Sequence, residues 1–488
     1  MKKRVFRRIS LLLAALLTVG SVSCSGGGEP ETGGSTGHAP DNGTEAPANP
    51  DAPAENADSS SPAETEWPAP DYSDFVMPEE TGELVVYADA AMGRSVMNPA
   101  VRIFEELYPG IRVDYKTMSE DDFEVLIRTE IPAGRGPDLL LFTVTDIPDV
   151  YKTASTGLFT DLNPYFLRDE EIDLDQFIVP VMDGGVLTGQ RFFAPINYEM
   201  PLLVTARSTL DEIGMTEEEI KTSDGFLEAA ARFHEKHPTS TLFIDTFGGP
   251  REISDIHNMY TNFGFSLIDY QTMEVGFDEE MFRRCVDTVK LYYNPDYDPN
   301  DTSLVKESDG WYNSGWAIHT KHCLFDHMGT ALMLTDQTSW RLTEAGDEMV
   351  LFAQRNQRDG ITATMVMNTA IPTGAKNKLN GWRLLKILLS DEIQGGHDET
   401  RWDLPYFWVG FPVRRDSLRD YIWMDGMEED EAFRQYMEVV QSPTEALMLP
   451  PIIKRYINLE ILPYVRGEKS WDDCFARFVN TLELYASE

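Results

Sequence analysis

The chain has 488 residues, 42% of them hydrophobic, and a formal net charge of -41. That length supports a large core and two to three domains. A surface this acidic repels phosphate backbones, which argues against nucleic acid as a partner, and its plain physical consequence is solubility.

The N-terminus is basic. Lys2, Lys3, Arg4, Arg7 and Arg8 precede an apolar run from Ser10 to Gly20. That run has the length of a signal-peptide core and is too short for a mature membrane span. It ends in Ser21-Val22-Ser23-Cys24, followed by Ser25 and three glycines. The pattern predicts a lipoprotein signal over 1–23, cleaved before Cys24, which then carries the lipid, palmitate included. Ser21 stands where leucine is usual, and an ordinary secretory signal is the plainer alternative. A lipid on Cys24 would hold the protein at the extracytoplasmic face of the cell membrane without a transmembrane helix. Residues 24–78 are dominated by Gly, Pro, Ala, Ser, Thr and acidic side chains, with Trp67 the first aromatic after the signal. Such a segment cannot bury enough apolar surface to fold, so it reads as a tether. Its mean reach, as a flexible coil, is about 40 Å.

Folded sequence begins with the buried-strand pattern Glu83 to Ala90. Asn98 to Tyr108 follows as a helix, Ile111 to Met118 as a strand, Ser119 to Glu130 as a helix capped by Ser119, and Pro137 to Thr143 as a third strand. Asp146 opens another helical stretch. Alternating strands and helices predict a parallel sheet with crossover helices. In such sheets ligands bind beyond the carboxyl ends of the strands, which points to Arg94 and Asp146. Leu107, Leu140, Phe226 and Leu384 are core by their spacing. Next comes Leu187 to Gly214, where two short apolar runs meet at a polar break, Asn197-Tyr198-Glu199. Two extended segments joined this way predict a chain crossing between domains. Thr222 to Lys236 is an amphipathic helix, Thr241 to Asp245 a strand, Ile256 to Phe265 and Glu279 to Tyr293 helices, and Ala331 to Leu334 a strand. Thr362 to Ile371 is a second crossing, Lys376 to Leu389 a helix, and Phe411 to Arg415 a third crossing.

No catalytic signature for hydrolysis, nucleotide binding or dinucleotide binding is present. His319, His322, Cys323 and His327 offer soft ligands within nine residues. Structural zinc sites usually draw on two separated pairs, so a surface segment with a buried cysteine is the simpler reading. Asp296 to Glu307 follows a calcium-loop spacing, but Asp301 occupies the position that needs glycine. No cofactor or metal is expected. Cys285, Cys323 and Cys474 can form at most one disulfide and read as small buried side chains. The aromatics carry more: sugar C–H faces stack on rings, and sugar hydroxyls need a few fixed polar partners.

Several stretches, taken in order, resemble the family 1 extracellular solute-binding proteins, the oligosaccharide-binding components of ABC importers. They are Gly157-Leu158-Phe159-Thr160-Asp161-Leu162, the Leu187 to Gly214 crossing, Thr222 to Lys236, Thr335 to Trp340, Lys376 to Leu389, Phe411-Pro412-Val413-Arg414-Arg415 and Tyr464 to Tyr485. The resemblance implies a type II periplasmic-binding-protein-like α/β fold of two lobes, three hinge crossings and a ligand cleft between the lobes. It places the first lobe at 79–196 plus 365–412 and the second at 197–364 plus 413–488. It implies a monomer that binds a carbohydrate, an oligosaccharide above all, hands it to an ABC permease and is not an enzyme. Trp340 stands at the family's stacking position. Tyr198 and Glu199 lie at the cleft floor, Arg94 and Asp146 at strand ends, and Trp311, Trp316 and Trp408 in turn-punctuated stretches, with Tyr312 and Tyr406 beside them. A glycan-active enzyme with a hidden carboxylate pair, or the same fold as sensor partner of a membrane kinase, are the alternatives.

Overall fold

The computed structural model describes residues 70–91, 93–147, 149–244, 251–296, 314–327, 341–395, 410–422 and 431–488. The chain enters its first sheet with β1 (Glu83–Asp89), crosses through helix α1 (Arg94–Leu107) to β2 (Arg112–Met118), and reaches β3 (Leu139–Thr143) and α2 (Val150–Ser155). β1 runs parallel to both β2 and β3, as the strand-helix alternation predicts. Ser119 caps the helix after β2 by accepting from the Asp122 amide at 3.3 Å. That helix is α-helical only to Val125 and closes in a π-turn over Leu126–Glu130.

A short strand β4 (Ala194–Pro195) leads directly to β5 (Asn197–Glu199) and β6 (Leu202–Ala206). Helices α3 (Arg207–Ile213) and α4 (Ser223–Lys236), strand β7 (Thr241–Phe243), helix α5 (Arg251–Asn262) and helix α6 (Glu279–Leu291) follow. Then come α7 (Ser314–His319), β8 (Cys323–His327) and β9 (Met349–Ala353). The chain returns through β10 (Thr362–Met365) to β11 (Met367–Ala370) and α8 (Lys378–Leu388). Its last part holds β12 (Phe411–Pro412), α9 (Glu431–Val440), β13 (Glu445–Leu447), α10 (Pro451–Glu460) and α11 (Trp471–Ser487).

Among the described residues three larger sheets result, beside two two-stranded hairpins. The first has the order β2-β1-β3-β11-β4 and the second β9-β6-β8-β7, while β12-β5-β10-β13 form a four-stranded sheet between them. The connecting sheet is the hinge. β4-β5-β6 takes the chain out of the first sheet and into the second, and β9-β10-β11 brings it back. Two hydrophobic clusters accompany this layout. One is centred on the first and hinge sheets, with Phe104, Leu140 and Leu384, and extends onto one side of the second sheet through Leu202, Val204, Cys323 and Ala353. The other fills the opposite face of the second sheet, where Phe226 stacks on Phe325 with ring centroids 4.7 Å apart.

The third crossing is not where the sequence placed it. Phe411 and Pro412 do pair with Tyr198 and Asn197 in the hinge sheet. The chain then turns back on the first lobe. The Ile178 amide donates to the Val413 carbonyl, Ser417 donates to Asp391, and Leu418 and Tyr436 join the first cluster. Passage to the second lobe comes after β13, where Met448 still belongs to the first cluster and Leu449 to the second. A short Pro-containing strand reads as a crossing whether or not the chain continues through it.

Two local expectations also change. α1 starts at Arg94 rather than at Asn98 and carries Pro99 inside it, past the first turn where proline is readily tolerated. Leu107 is 60% exposed, whereas Leu140, Phe226 and Leu384 are fully buried. Leu107 continues the stripe of Val96, Ala100 and Phe104, but it is the last residue of the helix and finds no neighbour to cover it. Gly225, in the first turn of α4, has a concrete cause: a Cβ there would lie 1.8 Å from the Glu219 carbonyl oxygen. Among the described residues Cys285, Cys323 and Cys474 form no disulfide and are buried. Among the described residues no helix is long and apolar enough to cross a membrane.

Candidate functional site

β5 supplies the floor. Successive side chains of a strand point to opposite faces, so Tyr198 and Glu199 cannot share one. Tyr198 turns towards α9. It is fully buried, its hydroxyl donates to the Val440 carbonyl at 2.6 Å, and its ring packs on Phe411. Burial pushes its hydroxyl far above the ordinary tyrosine range. Tyr198 is therefore a packing residue of the hinge and not a cleft contact. Tyr198→Phe should lower stability by about 1 kcal/mol, the worth of one hydrogen bond, and leave ligand affinity unchanged; denaturant titration and calorimetry check both.

Glu199, opposite Thr364 of β10, turns the other way and keeps partial solvent contact. Burial pushes its carboxyl up to about 7, and the Lys454 ammonium pulls in the opposite direction. Lys454 lies in the first turn of α10, immediately after the third crossing. Two imidazoles feel the same ammonium. His257 of α5 has Nε2 2.9 Å from Asn458 Oδ1, and His327, the last residue of β8, has Nε2 2.9 Å from Asn262 Oδ1. Both are held down to about 4, by burial first and then by the charge of Lys454, so both are neutral near pH 7. His327 pairs with Leu203, one residue into β6, which places this group at the hinge end of the second sheet. Sequence reasoning missed Lys454 and His257, and took His327 only as part of a run of soft ligands. The one local signal is for Lys454, which stands four residues before Asn458 and so on the same side of α10.

The first lobe contributes its strand ends. β1 ends at Asp89, buried, and the chain folds back so tightly that a Cβ on Gly93 would lie 2.6 Å from the Asp89 carbonyl oxygen. Arg94, exposed at the start of α1, donates through Nη2 to Thr117 Oγ1 at 3.3 Å. The Tyr115 hydroxyl is buried without a partner and feels both Arg94 and Asp89. Asp146 lies at this end too, but it is 1% exposed and committed to its own turn. Its Oδ2 accepts from the Thr143 amide at 2.6 Å and from Thr143 Oγ1 at 3.0 Å. Asp146 thus shapes the loop after β3 and offers a ligand little surface. Burial raises its carboxyl to about 7, with the charges of Asp89 and Glu120 adding to the effect. A folded-state value above the unfolded one means that this carboxyl disfavours the native state increasingly as pH rises from about 4 to 7. Asp146→Asn, which keeps an accepting oxygen towards Thr143, should raise the melting temperature at pH 8 and have no effect near pH 4.

Trp316 does not reach the hinge. It is 43% exposed on α7, with its ring 6.0 Å from His319. His319 contacts Asp347, and Asp347 accepts from Ser208 at the start of α3, the far end of β6. The soft-ligand run is dispersed in the same way: His322 contacts Thr320, Cys323 is buried in the core, and His327 contacts Asn262. Trp340, Trp311, Trp408, Tyr312, Tyr406 and Cys24 lie outside the described residues, as does the Asp296 to Glu307 loop after its first residue.

The geometry is that of two sheets meeting at a hinge whose floor carries Glu199. Residues 81–305 match the family model described as bacterial extracellular solute-binding protein. No curated protein matches the chain in sequence. Among solved structures, the sugar-binding protein MalE from Xanthomonas citri is 15% identical with a TM-score of 0.59, covering 83% of this chain and 97% of its own. A periplasmic oligogalacturonide-binding protein from Yersinia enterocolitica is 17% identical with a TM-score of 0.57, covering 83% and 99%. An ABC substrate-binding protein from Listeria monocytogenes, in complex with cycloalternan, is 14% identical with a TM-score of 0.52, covering 83% and 99%. At these identities the likeness establishes the shared two-lobed α/β fold.

Proposed function

We propose, for a chain that belongs to the bacterial extracellular solute-binding protein family, that it captures a carbohydrate between its lobes and presents it to an ABC permease. No bond is broken in this role. The ligand shifts an open–closed equilibrium by binding the closed arrangement more tightly. The observation that carries the reading is the hinge sheet, whose strands link two separate sheets and whose floor presents a partly exposed carboxyl, Glu199. We assign the sheet of β1 to β3 to one moving lobe and the sheet of β6 to β9 to the other. Arg94 and Glu199 are assigned to hydrogen bonds with the ligand, and Trp340, on resemblance alone, to its stacking face.

Isothermal titration against a panel of oligosaccharides tests the reading. Micromolar or tighter binding to at least one is expected; no heat with any of them would refute the carbohydrate assignment. We further propose that Cys24 is lipidated and anchors the chain outside the cell. Cys24→Ser should move the protein from the membrane fraction to the medium, and mass spectrometry of the wild-type N-terminus should show acyl chains.

A further inference from the structure

Beside the three crossings, a separate set of side-chain contacts joins the lobes. A hairpin of the first lobe pairs Val186–Leu187 with Gln190–Arg191 and turns through Thr188 and Gly189, both at positive φ. It is fixed to its own lobe. Asp161 Oδ1 accepts from the Arg191 amide at 3.0 Å, and Asn163 Nδ2 donates to the Gly189 carbonyl at 3.0 Å. Asp161 also accepts from the Tyr72 hydroxyl, where the N-terminal segment lies against this lobe. The partners come from the second lobe. Gln271 sits in the turn between Ile268–Asp269 and Glu274–Val275 and holds the hairpin backbone with both ends of its amide. Its Oε1 accepts from the Thr188 amide, and its Nε2 donates to the Val186 carbonyl at 3.1 Å. Tyr270 stacks on Tyr151 of α2 with ring centroids 4.2 Å apart. Lys152 donates to the Tyr485 carbonyl near the end of α11 and lies 3.7 Å from the Tyr485 ring centroid, an added cation–π attraction. Tyr151 belongs to the first hydrophobic cluster, and Ile268 and Tyr485 to the second.

The side of the hinge on which these contacts lie decides what they do. Residues directly opposite in an antiparallel pair share a face, so Thr364 stands with Glu199 and Met365 with Tyr198. A Cβ on Gly184, just before the hairpin, would lie 2.8 Å from Met365 Sδ. The hairpin therefore leaves from the face of the hinge sheet turned away from Glu199. Lobes that rotate about this sheet to close over Glu199 must draw apart behind it.

We propose that Gln271, the Tyr151–Tyr270 stack and Lys152 form a latch behind the hinge that opposes closure, and so tunes ligand affinity without touching the ligand. This rests on the reading of Glu199 as the cleft floor. The latch contacts belong to the open arrangement and are lost in the closed one. A ligand that binds the closed arrangement must supply that difference, so its apparent affinity scales with the closed fraction. Weakening the latch raises that fraction and tightens binding, the reverse of what removal of a ligand contact does.

The test is titration calorimetry of the full chain and its variants with maltotriose, cellotriose, xylotriose and trigalacturonate. Gln271→Ala removes both hydrogen bonds to the hairpin and should tighten binding of the sugar that binds wild type about fivefold. Lys152→Met, which keeps most of the stem, should act in the same direction. Circular dichroism melts establish that both variants fold, and tighter binding is a change that structural damage would not produce. Hydrogen exchange gives a second readout: the Thr188 amide should exchange faster when the sugar is added to wild type, because closure takes its acceptor away. Unchanged or weaker affinity in both variants, or slower exchange at Thr188 on binding, would overturn the latch and leave carbohydrate capture standing. Absence of binding to every trisaccharide would refute the carbohydrate assignment, and the latch is then read without ligand. Small-angle scattering of the Gln271→Ala, Lys152→Met double variant should show a smaller radius of gyration than wild type, and identical profiles would overturn the proposal.

Discussion

Replacing Asp138 by alanine should cost about 3 kcal/mol or more of folding stability, read as a lower midpoint in denaturant titration. Asp138 is 2% exposed, at the entrance to β3. Its Oδ2 accepts from the Val85 amide at 2.8 Å and from Asn377 Nδ2 at 2.7 Å. Its Oδ1 accepts from the amides of Lys376 and Asn377, at 3.1 and 2.9 Å. One carboxylate thus ties β1, β3 and the approach to α8, three pieces of chain that are far apart in sequence. Truncation leaves buried donors without acceptors, at about 1–3 kcal/mol for each that water cannot reach. Asp138→Asn should recover little, because one of its two side-chain atoms becomes a donor aimed at donors. If Asp138→Ala unfolds within 0.5 kcal/mol of wild type, about the scatter of surface substitutions, this account of the junction is wrong.

A comparable loss, about 3–5 kcal/mol, is expected for Trp382→Ala, where a large side chain leaves a cavity. Trp382 is fully buried in α8, against Tyr165 at 5.4 Å and Phe166 at 4.9 Å between ring centroids. Its indole Nε1 donates to Asp169 Oδ2 at 2.7 Å. Burial alone would raise the Asp169 carboxyl, but hydrogen bonds from Lys386 and Trp382 outweigh it and hold the group below its ordinary value. A depressed carboxyl stabilises the fold above its unfolded value near 4, and that contribution is lost as pH falls through the folded value. Trp382→Phe should therefore cost less than alanine at pH 7 and should narrow the stability difference between pH 7 and pH 3 relative to wild type. Melts at the two pH values measure it.

Much of this architecture was legible from local pattern. The alternation of strand and helix in 83–143 predicts the parallel sheet because each strand must bury both faces and each helix one. The polar break Asn197-Tyr198-Glu199 between two apolar runs marked the first hinge strand correctly. It could not say which face each residue takes. Strand alternation sends neighbours to opposite sides, so Tyr198 went to the hinge core while Glu199 stayed at the floor. Asp146 shows a second limit. An aspartate that closes a turn and one that binds a ligand look alike at a strand end, and only the 2.6 Å contact with its own Thr143 amide separates them.

What the sequence determined by itself is the set of pieces and their periodicity: the acidic chain, the signal-like N-terminus, the strands, the helices and the existence of crossings. These depend on neighbours a few residues apart, whose interactions are short-ranged and repeat along the chain. What only the tertiary structure decided is which pieces share a surface. The charge of Lys454 acts on Glu199, His257 and His327 because the chain crosses the hinge three times and brings α10 in after β13. Electrostatic contact between groups more than fifty residues apart leaves no spacing in the sequence, since it is set by chain path and burial rather than by helical or strand period.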